Sequence, residues 1–105
     1  MPKVHVPVPL RWADLDAYGH VNNATLLRLL EEARIQVFWA RPGDPDAPAT
    51  ALIPTGDDAD TLSFVARQEI EYLAPSPYRR DPSDIQLWSG KLFGASFEIF
   101  YEVWA

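Results

Sequence analysis

The sequence predicts an α+β domain in which an antiparallel sheet packs on one long helix. Three observations predict it. Apolar and polar residues alternate in separate runs near the start and over the last third of the chain, the pattern of strands with one buried side. Between them lies a stretch of helical periodicity that is apolar over most of its circumference, as a buried helix must be. The runs follow in the order strand, helix, then consecutive strands, which favours segregated helix and sheet over alternating β–α–β units.

Residues 3–12 form the first expected strand. Val4, Val6, Val8, Leu10 and Trp12 share one face, and Lys3, His5, Pro7, Pro9 and Arg11 the other. Pro7 and Pro9 lack N–H groups on the same edge, which puts this strand at a sheet margin. Residues 13–22 break the alternation and read as a loop, with Asn22 or Asn23 as the cap of the helix that follows. From Ala24 to about Ala40, Leu26, Leu30, Ala33 and Val37 recur at helical spacing. Leu27, Leu29, Phe38 and Trp39 widen that stripe, and Arg28, Glu32 and Gln36 leave a narrow polar line. Residues 41–60 hold four Pro and five Asp and read as a mobile loop, a candidate lid.

Thr61–Leu73 is the second expected strand, with Leu62, Phe64, Ala66, Ile70 and Tyr72 in phase. Pro75, Pro77 and Pro82 punctuate a turn region carrying Tyr78, Arg79 and Arg80. Asp84 to about Phe93 is the third, Gly94–Ala95 a turn, and Ser96–Trp104 the fourth.

A chain of 105 residues, 48% hydrophobic, supports one sizeable core and excludes wholesale disorder. Nine Lys and Arg against fifteen Asp and Glu give a formal charge of −6, which disfavours nucleic-acid binding. The absence of Cys removes disulfides, thiolate zinc sites and cysteine nucleophiles, and only His5 and His20 could contribute imidazole to a metal site. No apolar run is long enough to span a membrane, and no signal-peptide core follows Met1. A soluble cytoplasmic domain is the expectation.

Chemistry concentrates in Arg11-Trp12-Ala13-Asp14-Leu15-Asp16-Ala17-Tyr18-Gly19-His20-Val21-Asn22-Asn23, directly before the helix. A helix N-terminus offers unpaired N–H groups and partial positive charge, suited to an anion or a developing oxyanion. A carboxylate held beside it could act as base or nucleophile on an activated acyl group. From the residues alone a second reading stays open: Asp and Asn cap helices, and Gly19 allows a tight turn. Asp14 reads as a loop carboxylate that bonds local backbone or pairs with Arg11. Glu31 and Glu32 read as partners of nearby Arg28 and Arg34. Asp57-Asp58-Ala59-Asp60 lacks calcium-loop spacing.

The run Arg-Trp-x-Asp-x-Asp-x-x-Gly-His-Val-Asn-Asn (Arg11 to Asn23), followed by Leu-Glu-Glu-Ala-Arg (Leu30 to Arg34), resembles hotdog-fold acyl-CoA thioesterases of the 4-hydroxybenzoyl-CoA type. Glu69 to Arg79 and Gly94 to Phe97 resemble the same family in order and spacing. The resemblance implies a central helix wrapped by an antiparallel sheet. It implies Asp16 as the catalytic carboxylate, with backbone N–H groups around Val21, Asn22 and Asn23 holding the thioester carbonyl. His20 is either a second catalytic group or a loop residue that orients the turn. Tyr18 and Gly19 would line the site, Arg79 would contact CoA phosphate, and Ser96 is a strand residue or lines the site from a partner subunit. No cofactor or metal is implied beyond the CoA of the substrate, and a homodimer or dimer of dimers is.

The chain departs from the family at four places. Tyr18 stands where plant acyl-carrier-protein thioesterases carry Asn, and Leu26 where an aromatic residue is usual. The turn after the third strand is Phe93-Gly94-Ala95, not basic as in one branch, which leaves Lys91, Arg79 or Arg80 for phosphate. The fifth family strand, between the fourth and the second, is expected to be missing, so that a longer natural chain or another subunit would fill the gap. Two alternatives remain at this stage: a hotdog enoyl-CoA hydratase, and a non-catalytic acyl-CoA-binding module. The acyl group is not encoded in any motif.

Overall fold

The computed structural model describes residues 2–40, 43–55 and 64–104. Strand β1 (Val4–Val8) leads through a short 3-10 turn (Trp12–Asp14) to helix α1 (Asn23–Phe38). Two-residue strands β2 (Trp39–Ala40) and β3 (Ile53–Pro54) pair in parallel, and β4 (Ser83–Leu92) and β5 (Phe97–Trp104) complete the described elements. The main sheet is antiparallel in the order β1-β4-β5. Proline placement correctly located β1 at the margin of the described sheet, with Pro7 opposite Asp84.

One face of this sheet covers the helix. Val4 lies opposite Leu87, Val6 opposite Ile85 and Ile85 opposite Val103, so apolar side chains from all three strands meet on one side. Ile85, Leu87 and Ala33 are fully buried, and Leu29, Leu30, Val37, Phe38, Val6, Val8 and Val21 close the core around them. Full burial of each large aliphatic side chain contributes about 1.5–3 kcal/mol. On the opposite face Trp88 stacks on Phe100, and Gly90 leaves room for that ring: a Cβ there would lie 2.2 Å from it.

The helix begins where its cap dictates. Asn22 has extended backbone, and its Oδ1 accepts from the N–H groups of Ala24 at 2.9 Å and Thr25 at 3.2 Å. It ends at Trp39, whose extended conformation turns the chain into β2.

Two expectations change. The first strand stops at Val8 rather than residue 12, because the chain turns over Trp12–Asp14 and leaves Trp12 76% exposed. The expected second strand is not formed: residues 64–73 carry no regular secondary structure and lie exposed, while 61–63 fall outside the described residues. Alternation makes a segment competent for a sheet, but a ladder needs a neighbour, and among the described residues none pairs with it. In the described part of the 41–60 loop, Thr50 donates to the carbonyl of Val37 and Thr55 to that of Ala40. Residues 41–42 and 56–60, including Asp57-Asp58-Ala59-Asp60, lie outside the described residues.

Candidate active site

The loop between β1 and α1 folds into a tight hairpin held by its own backbone. Leu15 bridges Val21, the Asp16 N–H donates to the His20 carbonyl at 2.8 Å, and the Gly19 N–H donates to the Asp16 carbonyl at 3.2 Å. Gly19 sits at φ 76°, a left-handed conformation that a Cβ would strain. The half-buried Asp16 side chain closes the turn: its Oδ1 accepts from the N–H of Tyr18 at 2.8 Å and of His20 at 3.2 Å. Aspartate commonly makes such bonds to backbone two residues on. Among the described residues no hydrogen bond reaches its Oδ2.

Asp14 plays a different part. It is fully buried, and Arg11 donates to it twice, from the backbone at 2.8 Å and from the guanidinium at 3.0 Å. Burial pushes its carboxyl upward, but the two Arg11 hydrogen bonds and the Arg11 charge together hold it below the usual carboxylate range. The Asp14 carbonyl accepts the Asn22 N–H at 2.8 Å, so this residue locks the loop to the start of the helix.

The expected trio of carbonyl-binding amides narrows on inspection. The Val21 N–H donates to the Ser76 carbonyl at 2.8 Å, and the Asn22 N–H is taken by Asp14. The Asn22 cap occupies the amides of Ala24 and Thr25. That leaves the Asn23 N–H as the first-turn donor without a protein acceptor among the described residues. Its own carbonyl accepts from the Tyr72 hydroxyl at 2.8 Å.

The remaining predicted site residues fall in different places. His20 acts here through its backbone, and its half-buried ring makes no hydrogen bond among the described residues. Tyr18 is 84% exposed beside Asp16. Arg79 is exposed, just beyond Pro77, whose bridge to His20 brings the 76–79 turn against the loop. Ser96 is not brought to the site by its own chain. Val8 pairs with Ser83 at the start of β4, whereas Ser96 closes the turn after the strand's other end by accepting the Phe93 N–H. A ten-residue strand separates those ends by roughly 30 Å. The side chain of Lys91 is not among those described. Glu31 pairs with Arg34 at 3.6 Å, as their spacing predicts.

Sequence reasoning missed Ser76, Pro77 and Tyr72, which anchor the loop and the helix start. Two of them act through backbone, so no side-chain pattern marks them. It also missed a groove of about 360 Å³ that begins at Ala24 and runs along the helix past Leu27, Arg28, Glu31 and Arg34, with Val65 and Gln68 on its other side. The groove needs residues 64–73 to lie beside the helix without joining the sheet.

The sequence matches the thioesterase-like superfamily over residues 10–105. The chain belongs to that superfamily. Among solved structures it is similar to a Xanthomonas campestris protein described as "a putative acyl-CoA thioesterase", at 28% identity and a TM-score of 0.65, over 95% of this chain and 75% of that one. No curated protein matches the sequence. The α-helix on an antiparallel sheet is thus the hotdog arrangement of thioesterases, and the superfamily supports thioester hydrolysis as the chemistry. Among the described residues no helix is long and apolar enough to cross a membrane.

Proposed function

We propose that the chain hydrolyses acyl-CoA thioesters to a carboxylic acid and CoA, with Asp16 as the catalytic carboxylate. The observation that carries this reading is the pairing of a fixed Asp16 carboxylate, one oxygen of which is uncommitted among the described residues, with the open Asn23 amide at the start of α1. In the general-base form Asp16 takes a proton from water and the hydroxide adds to the thioester carbonyl carbon. The resulting oxyanion meets the Asn23 N–H and the positive end of the helix. The C–S bond then breaks, and Asp16 returns the proton to the CoA thiolate. In the nucleophilic form the carboxylate itself attacks, expels CoA, and the anhydride is hydrolysed by water. His20 is a positioning residue in this scheme, since its N–H and carbonyl both hold Asp16.

The Asp-x-Asp block favours the 4-hydroxybenzoyl-CoA type within the superfamily. A hydratase would use an imidazole and a carboxylate as a pair, and the His20 ring makes no bond to Asp16.

Two copies would complete the assembly. Residues 64–73 keep the alternation of a strand, and antiparallel self-pairing centred on Gln68 sets Arg67 opposite Glu69 of the other copy and Phe64 opposite Tyr72.

Asp16→Asn tests the assignment. Asparagine keeps an oxygen for the Tyr18 and His20 amides but loses the base. Steady-state hydrolysis across an acyl-CoA panel should fall by about 10²–10⁴ in kcat with the thermal unfolding midpoint unchanged. A variant as fast as the parent would remove Asp16 from the mechanism.

A further inference from the structure

Trp12 is a large aromatic side chain left 76% exposed, and it is not isolated. Its ring stacks on Tyr78 with centroids 4.7 Å apart and planes 15° from parallel. A parallel stack fixes both rings and, with one Trp12 face against Tyr78, presents the other as a flat platform. The platform adjoins the Asp16 loop from both sides. Trp12 precedes Asp16 by four residues on one continuous segment, so their Cα atoms are at most ~14 Å apart. Tyr78 follows Pro77, which is bridged to His20.

Charge distinguishes this corner. The chain carries −6 overall, yet Arg79 and Arg80 directly follow Tyr78, against Asp81 alone in the same turn. Both arginines are exposed, and among the described residues neither forms an ion pair. Arg11, by contrast, is committed to Asp14. A flat π surface next to two uncommitted guanidinium groups matches a purine nucleotide: the base stacks, and its phosphates take the planar arginine donors.

We propose that the Trp12–Tyr78 platform with Arg79 and Arg80 is the docking site for the adenine nucleotide end of the substrate's CoA. This rests on the acyl-CoA reading above and extends it. The flexible pantetheine arm would run from the platform to the thioester at Asn23 and Asp16. The site contributes binding, not chemistry, so its loss appears in KM and spares kcat.

The test uses 3′-phosphoadenosine 5′-diphosphate as a binding probe by calorimetry. Hydrolysis is then compared between hexanoyl- and benzoyl-CoA and the matching N-acetylcysteamine thioesters, which lack the nucleotide. The parent should bind the probe. Trp12→Ala should weaken that binding, and raise KM for the CoA thioesters, by about tenfold or more. It should leave kcat and the N-acetylcysteamine thioesters unchanged. Trp12→Tyr should restore most of the loss, and Arg79→Ala with Arg80→Ala should weaken the probe while making its binding less sensitive to salt. No probe binding by the parent, or equal effects on both thioester series, overturns the proposal. So does a Trp12→Ala variant whose change is in oligomer mass rather than KM, because a second copy would then be the occupant. A parent that binds the probe but hydrolyses no thioester overturns the hydrolase reading and leaves the nucleotide site standing.

Discussion

Replacing Asp14 isolates a buried polar contact at the start of the loop. Its side chain is 1% exposed and accepts two hydrogen bonds, while the Arg11 side chain is 69% exposed. In Asp14→Ala the guanidinium can return to water, so losing that contact costs little. The part-buried Arg11 backbone N–H has no such escape, and leaving it unpaired costs about 1–3 kcal/mol. With the lost packing of the carboxylate, the total destabilisation is roughly 2–4 kcal/mol, a drop of roughly 10–25 °C in Tm for a domain of this size. Asp14→Asn keeps an acceptor for the backbone N–H and loses only the charge, so about 1 kcal/mol is expected. The carboxyl is held below its ordinary value in the folded chain, so its stabilisation is fully present above the unfolded carboxylate pKa of about 4 and fades as pH falls through the lower folded value. Urea unfolding of parent and Asp14→Asn should therefore differ at pH 7 and converge in strong acid. If Asp14→Ala and Asp14→Asn were equally stable, or both within about 0.5 kcal/mol of the parent, the backbone bond to Arg11 would not be the anchor described here.

The other expectations concern the loop, the cap and the assembly. Gly19→Ala forces a Cβ onto φ 76° with open space around it, so about 1–2 kcal/mol of stability is lost to backbone strain alone; because the strain falls in the turn that holds Asp16, kcat should fall more than thermal stability suggests. Asn22→Ala removes the acceptor for Ala24 and Thr25 and should cost about 1 kcal/mol by denaturant titration, with Asn22→Asp largely sparing it. For the assembly, Arg67→Glu should lower the mass measured by light scattering, and adding Glu69→Arg should restore it by exchanging the charges; a monomeric parent, or variants of unchanged mass, would refute pairing through residues 64–73.

Where local pattern and tertiary packing agreed, the fold was legible in the sequence. The spacing of Leu26, Leu30, Ala33 and Val37 put the helix within two residues of its observed end, and Asn22 fixed its start. Pro7 located an edge, and the expected third and fourth strands, Asp84 to about Phe93 and Ser96–Trp104, lie within a residue of β4 and β5. Residues 64–73 were misread because alternation reports what a segment could bury and says nothing about whether a neighbouring strand exists to accept its backbone. The first strand was drawn too long for a related reason. Trp12 keeps the phase of Val4, Val6 and Val8, but its ring is turned toward Tyr78, sixty-six residues on, and no local rule anticipates that partner.

The residue types of the candidate site were legible in the sequence, as was the pairing of Asp14 with Arg11; the hydrogen bonds that set Asp16 apart were not. Asp14 and Asp16 are chemically alike, and periodicity cannot rank them. The fold separates them by what each carboxylate is given. Asp14 receives a guanidinium and a backbone N–H in a dry pocket, so both oxygens are spent on structure. Asp16 receives two backbone N–H groups on a single oxygen at a half-buried position, which leaves the other oxygen without a hydrogen bond among the described residues. The same division governs the amides: Val21 and Asn22 donate inward to Ser76 and Asp14, and Asn23 is left over. A site of this kind is assembled from the groups that the hairpin and the helix cap do not consume. For that reason Asp14 variants should act on stability, and Asp16 variants on turnover, although the two residues stand on either side of the same leucine.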